Sequence, residues 1–314
     1  MDGLGGHGLM VDLYDARGNR YLVAAPRDVA ATPIPAEAAR ETAWIAPALR
    51  AVGLDDHSRK LSDGLLVGPF QAEPPFDVLI VNTDGTLAER SGNGLTIFAS
   101  ALRDHGLVGA GDSFELRVHH GGHAAPTPLP VMARLGPRGS VWLDMGRPAI
   151  GPEAVDAAPG LSAVSALAEL DSLWRRSVFV RLGNPHCVTM LESPRDLPSM
   201  PRLRKLQDRL TRIAFAPPIG SGSPCPGGVN LQWAAPAGPN LIAARIFERG
   251  EGPTRSSGTS ACAVATAAHH LGLAPGPIVR VRMPGGTAQV ALEVEAGRLV
   301  GVQYRGVAKR ITPG

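Results

Sequence analysis

The chain has 314 residues, 44% of them hydrophobic and 19% charged, with a formal net charge of +3. A hydrophobic share of that size fills a core, so a disordered chain is excluded, and the length fits one large domain or two medium ones. No run of Lys and Arg interleaved with aromatics supports a nucleic-acid surface, and no apolar stretch approaches the roughly 20 residues that span a bilayer.

In chain order, residues 8–14 and 20–25 are expected as strands with Gly18-Asn19 at the turn between them. The Ala-rich segment 36–51 has helical spacing, and 64–70 and 76–82 read as strands, the second delivering the turn signal Asn82-Thr83-Asp84-Gly85. Glu89-Arg90-Ser91-Gly92-Asn93-Gly94 then opens a helix to about His105, and 114–119 is another strand. The Gly- and Pro-rich passage from Gly121 to Pro130 is the candidate boundary. Beyond it come strands at 129–134 and 140–145, a helix at 161–171, and a strand at 177–183 that ends in Gly183-Asn184-Pro185-His186. A basic helix over 198–213, with Arg202, Lys205, Arg209 and Arg212 as a solvated face, precedes strands near 228–234 and 240–247. Arg255-Ser256-Ser257-Gly258-Thr259-Ser260 opens a helix to Leu271, and 278–309 alternates as β-structure.

Two of these stretches match each other. Each is a Ser-Gly turn feeding an apolar helix, and Ser91 and Ser257 hold corresponding places about half the chain apart. The first free N–H groups of a helix favour an anion such as a carboxylate, and small residues let a ligand approach the backbone. Either serine is also suited to ordinary N-capping. Cys187, Cys225 and Cys262 are odd in number, widely spaced and without a CxxC pair, which argues against a disulfide framework or a zinc site and fits a reducing compartment. With no secretory leader visible, a cytoplasmic protein is expected. No metal or nucleotide motif is present; Gly3-Leu4-Gly5-Gly6 lacks the strand-then-helix setting of a dinucleotide site, so no cofactor is expected.

The ordered set Asn82 to Thr86, Glu89 to Gly94, Gly183 to Val188, Pro226 to Asn230, Glu248 to Gly252 and Ser257 to Ala263 resembles the signature of diaminopimelate epimerase and its PLP-independent racemase relatives. The resemblance spans nearly the whole chain. It implies an α+β fold of two pseudo-symmetric domains, each a curved, largely antiparallel sheet wrapped around a central helix, with the active site between them. The expected domains are 1–125, with 302–314 returning to it, and 126–301. A homodimer acting on a small amino-acid-like substrate is implied, without nucleic acid or membrane partners. The matching positions assign Asn82, Asn184 and Asn230 to the substrate's polar groups and Glu248 and Arg249 to its ammonium and carboxylate. Gly92, Asn93, Gly94, Gly258 and Thr259 match the helix N-termini that cradle the α-carboxylate.

Ser91 and Ser257 depart from this pattern, since the family's epimerases carry cysteines there that remove and return the α-proton. A thiol has a pKa near 8.5 that a helix N-terminus lowers, whereas a serine hydroxyl needs an activating neighbour. Gly6 also stands where a substrate-binding Asn is usual. Cys262 reads as a packing residue, and Cys187 and Cys225 flank the expected binding segments, where each is able to line the pocket but neither matches a catalytic position. His186 titrates in a useful range or is hydrogen-bonded to shape the pocket. Glu89 and Asp84 are the carboxylates nearest the first serine in sequence. In the related phenazine-biosynthesis isomerase a carboxylate moves the proton, and proline-racemase relatives lacking one cysteine act as dehydratases. Ser91, Ser257, His186 and Glu89 are therefore the catalytic candidates. Three functions stay open: a non-thiol enzyme of specialised metabolism working at or near Cα by isomerisation, elimination or cyclisation; a diaminopimelate epimerase with both cysteines deliberately replaced; and a non-catalytic amino-acid binder.

Overall fold

A computed structural model of the chain describes residues 9–26, 62–82, 87–88, 90–119 and 128–311. The expected helix at 36–51, the opening Gly3 to His7, the turn residues 83–86, Glu89 and most of the Gly/Pro-rich passage lie outside the described residues.

The strands are β1 (Leu9–Ala16), β2 (Asn19–Pro26), β3 (Gly64–Val67) and β4 (Phe76–Asn82), followed by helix α1 (Gly92–Asp104). Next come β5 (Ser113–His119), β6 (Leu129–Leu135), β7 (Ser140–Gly146), β8 (Ala149–Ile150), α2 (Ser165–Leu170), β9 (Ser177–Leu182) and β10 (Asn184–Met190). Helices α3 (Met200–Lys205) and α4 (Gln207–Ala214) lead to β11 (Asn230–Gly238), β12 (Leu241–Glu248) and β13 (Gly252–Thr254). Helix α5 (Gly258–His270) is followed by β14 (Ile278–Met283), β15 (Gly286–Glu295), β16 (Arg298–Val307) and β17 (Lys309–Ile311).

Two compact units result, residues 1–143 with 306–314, and residues 144–305. The sequence placed the boundary at 125/126; the division at 143/144 follows because β6 and β7 continue the ladder of β5. The first ladder runs β17–β1–β2–β3–β4–β5–β6–β7, antiparallel except for β2–β3 and β4–β5. The second runs β8–β9–β10–β11–β12–β14–β15–β16, antiparallel except for β10–β11 and β12–β14, with β13 on the far end of the β12 edge. Each unit therefore repeats one pattern: antiparallel, parallel, antiparallel, helix, parallel, antiparallel, antiparallel. The half-chain repeat seen in the two serine stretches extends to the order and sense of the strands.

The pattern explains where the helices sit. Parallel neighbours need a crossover, and α1 and α5 are the crossovers of β4–β5 and β12–β14. Both helices are buried continuously over three turns, Gly92 to Leu102 and Gly258 to Ala268. A helix surrounded on all sides cannot be amphipathic, which accounts for the Ala-rich sequence of α5. The packing is close enough that a Cβ at Gly306 would overlap the Thr96 side chain of α1. Gly306→Ala is expected to destabilise the protein by about 1–3 kcal/mol, read as a lower urea midpoint at unchanged slope.

Two local expectations change. The hairpin turn is Arg17-Gly18, both with positive φ, and Asn19 already opens β2. The basic helix is broken at Leu206 into α3 and α4, and its Arg202 is not simply solvated: it pairs with Asp171 at 2.8 Å and lies over the ring of buried Trp174.

Candidate functional site

Both crossover helices begin just after the carboxyl end of a central strand, where α/β crossovers expose helix N–H groups to a ligand. The strand ends carry Asn82 on β4 and Glu248 on β12, two of the residues singled out by the sequence.

In the first unit Ser91 is the N-cap of α1, extended at φ −137 and ψ 114. Its Oγ accepts the Gly94 N–H at 3.0 Å. A second hydroxyl, Tyr21 on β2, lies 3.3 Å from the same oxygen. Tyr21 fits because residue 64 is glycine: a Cβ there would stand 2.7 Å from the Tyr21 ring and 2.7 Å from the Val81 carbonyl oxygen. Asn93 is buried in the first turn and Asn82 is half-buried.

In the second unit Ser257 is the N-cap of α5, at φ −149 and ψ 129. Its Oγ accepts the Ser260 N–H at 3.3 Å and lies 3.3 Å from the Thr259 hydroxyl. The two caps thus share one chemistry: each serine oxygen accepts a helix N–H and has one further hydroxyl beside it. Among the described residues neither serine has an imidazole, carboxylate or amine within hydrogen-bond distance. Neither first helical turn carries an acidic side chain that would oppose an incoming anion.

Strand alternation sorts the other candidates. On β10 and β11, His186 pairs with Asn230 and Cys187 with Leu231 in parallel register. Successive residues face opposite sides of a sheet. Cys187, Leu231 and Trp233 therefore enter the hydrophobic core beneath α3 and α4, together with Cys225, while Gln232 turns toward α5 and bonds Ser260. Burial pushes the Cys187 thiol up to about 12 and the Cys225 thiol up to about 11, and Cys262 is fully buried within α5. The expectation that Cys187 and Cys225 line the pocket is corrected: both lie in that core.

His186 is completely buried. Its Nδ1 lies 3.0 Å from the side chain of Gln232, and its Nε2 has no partner among the described residues. Burial first, and then the charge of Arg249, lower its pKa to about 3, so the ring is neutral at physiological pH. The unfolded chain takes up this proton near pH 6.5 and the folded protein only near 3. The stabilisation is therefore complete above about pH 6.5 and is lost on acidification, by about 1.4 kcal/mol per pH unit within that window. Urea midpoints measured between pH 4 and 7 are expected to fall on that slope in the wild type and to flatten in His186→Gln.

Arg249 is half-buried beside this cluster. Its backbone N–H donates to Asn230 Oδ1 at 2.8 Å, and its guanidinium donates to the Gly227 carbonyl. Glu248 accepts from the Thr254 hydroxyl at 2.7 Å. Asn184 opens β10 opposite Leu182 in a tight turn through Gly183, so the Asn-Pro-His run begins a strand and does not stay in a loop. Gly258 and Thr259 form the first turn of α5. Sequence reading missed Tyr21 and Gln232; Tyr21 acts on Ser91 and Gln232 on His186, each far from its partner in the chain, which no local motif encodes. Among the described residues no three His, Cys, Asp or Glu side chains converge as metal ligands, and no helix is long and apolar enough to cross a membrane.

The family profile described as diaminopimelate epimerase matches residues 178–311. Diaminopimelate epimerase 2 of Nostoc sp. is 30% identical over 290 residues, covering 89% of this chain and 87% of that protein. Among solved structures, a hydroxyproline epimerase from Agrobacterium vitis, with bound trans-4-hydroxy-L-proline, superposes with a TM-score of 0.60 at 17% identity, over 97% of this chain and 91% of that one. A Bacillus anthracis phenazine biosynthesis protein of the PhzF family gives 0.59 at 14% identity, over 96% of each chain. These two show a shared fold.

Proposed function

The chain belongs to the diaminopimelate epimerase family, and from that premise we propose that it binds an α-amino acid or a close derivative and acts at or near its Cα without thiol chemistry. The observation that carries this reading is the pair of matched caps. Ser91 and Ser257 keep the N-cap geometry that presents helix N–H groups to a carboxylate, and among the described residues neither has a base beside it to activate it. Arg249, Asn82, Asn184, Asn230 and Glu248 supply the remaining polar contacts to the ligand, as the family resemblance assigns them.

On this reading the serines bind and a carboxylate moves the proton, with Glu89 as the base. His186 does not serve, because a ring with its pKa near 3 is a poor proton acceptor at neutral pH. A cytoplasmic homodimer in specialised metabolism is part of the same proposal. The test is solvent-deuterium incorporation at Cα across a panel of amino acids. Exchange that disappears in Glu89→Gln supports the assignment; exchange that survives that change removes Glu89 as the base.

A second reading, a non-catalytic amino-acid binder, is favoured by the lack of any activating group at either serine among the described residues. It predicts calorimetric binding with no exchange for any member of the panel.

A further inference from the structure

We infer that Gln232 holds His186 in one neutral tautomer, protonated at Nδ1, and so reserves the buried Nε2 as an acceptor for an N–H of the bound ligand. The argument begins with the Gln232 amide. One end faces the carbonyl oxygens of Asn230 and Cys187, at 3.3 and 3.2 Å, and only an NH2 group can bond there. The amide oxygen therefore faces Ser260 Oγ at 3.1 Å and His186 Nδ1 at 3.0 Å, and both must donate to it. The reverse orientation would set oxygen against two oxygens.

With Nδ1 committed as a donor, a neutral ring carries its lone pair on Nε2. That atom is buried and has no partner among the described residues, which is costly unless a ligand fills the need. The missing partner must be a donor. The arrangement is tied to the proposed carboxylate site by short steps. Ser260 gives its hydroxyl hydrogen to Gln232 and its backbone N–H to Ser257 Oγ, so the cap and the imidazole share one residue. Asn230, paired with His186 across the strands, fixes the backbone of Arg249. A ligand whose carboxylate meets the α5 cap, with an amine or amide N–H on an adjacent atom, fits this set of donors and acceptors. Gln232 is a positioning residue in this scheme, and His186 is a binding group. The ligand half rests on the amino-acid reading above; the tautomer half does not.

The test is the long-range nitrogen–proton NMR spectrum of protein labelled at histidine nitrogen. Ligand-free wild type at neutral pH is expected to show His186 protonated at Nδ1 and bare at Nε2, and Gln232→Met is expected to shift the proton toward Nε2. A wild-type ring protonated at Nε2, or doubly protonated, overturns the proposal without any ligand or variant. In the second arm L-alanine, L-glutamate and LL-diaminopimelate are compared with propionate, glutarate and pimelate, which lack the amino group. The amino acids are expected to move the Nε2 resonance and the plain acids not, with binding weakened about tenfold in Gln232→Met. Equal responses to both series, or amino acids that bind by calorimetry without moving Nε2, overturn the acceptor role. Failure of every amino acid to bind sinks the amino-acid reading and the ligand half with it, while the ligand-free tautomer stands or falls by itself.

Discussion

The double variant Ser91→Cys/Ser257→Cys is expected to gain solvent-deuterium exchange at Cα, about 10²–10⁴-fold above the wild type, for an amino acid that the wild type binds. Each serine already sits as an N-cap whose oxygen accepts a helix N–H, at 3.0 Å for Ser91 and 3.3 Å for Ser257. A thiolate in either place inherits that donor and the positive end of the helix dipole, both of which lower a thiol pKa. The hydroxyl cannot exploit the same field, because its pKa begins far higher. Inversion at Cα needs both thiols, one to remove the proton and one to return it, so either single cysteine is expected to exchange without racemising. Measurement by proton NMR in deuterated buffer, with chiral analysis of the recovered amino acid, separates these outcomes. A gain confined to diaminopimelate returns the reading of an epimerase whose two cysteines were replaced.

Replacing Arg249 by Met is expected to weaken amino-acid binding by about 10–100-fold in calorimetry, the worth of one hydrogen bond to a charged group. The same change removes the positive charge that, after burial, holds the His186 pKa down. The ring pKa is therefore expected to rise in the variant but to stay below 6.5, since the burial remains. Histidine NMR titration reads this second effect without a ligand. A loss of affinity with an unmoved His186 would place Arg249 on the ligand and away from the ring. Asn230 keeps its bond to the residue 249 backbone in either case, so the loop conformation is preserved by design.

Much of this was legible in the order of residues along the chain. Ser91 and Ser257 were readable as matched caps because an N-cap is a local signal, a serine ahead of small residues and an apolar run. The strands around them were readable from period and turn residues, as with Phe76–Asn82, which folds over the expected span. What escaped depends on partners distant in sequence. Tyr21 reaches Ser91 only because Gly64, on a third strand, leaves room for its ring. His186 carries no local sign that it is buried and neutral; its neutrality follows first from burial among elements distant in sequence and then from the charge of Arg249. Cys187 lies next to His186 in sequence and on the opposite face of the sheet, a separation that follows at once from strand alternation but needs the Asn-Pro-His run to be recognised as a strand. Leu206 interrupts the basic helix although the periodicity of its charges continues across the break.

The central claim is that the two serine hydroxyls bind the ligand and do not carry its proton. The direct measurement is the rate of Cα deuterium incorporation at saturating amino acid in the wild type and in Ser91→Ala/Ser257→Ala. The account predicts a higher Kd in the variant and the same rate at saturation within about threefold, because the hydroxyls contribute hydrogen bonds alone. Exchange that is present in the wild type and abolished in the saturated variant would contradict it.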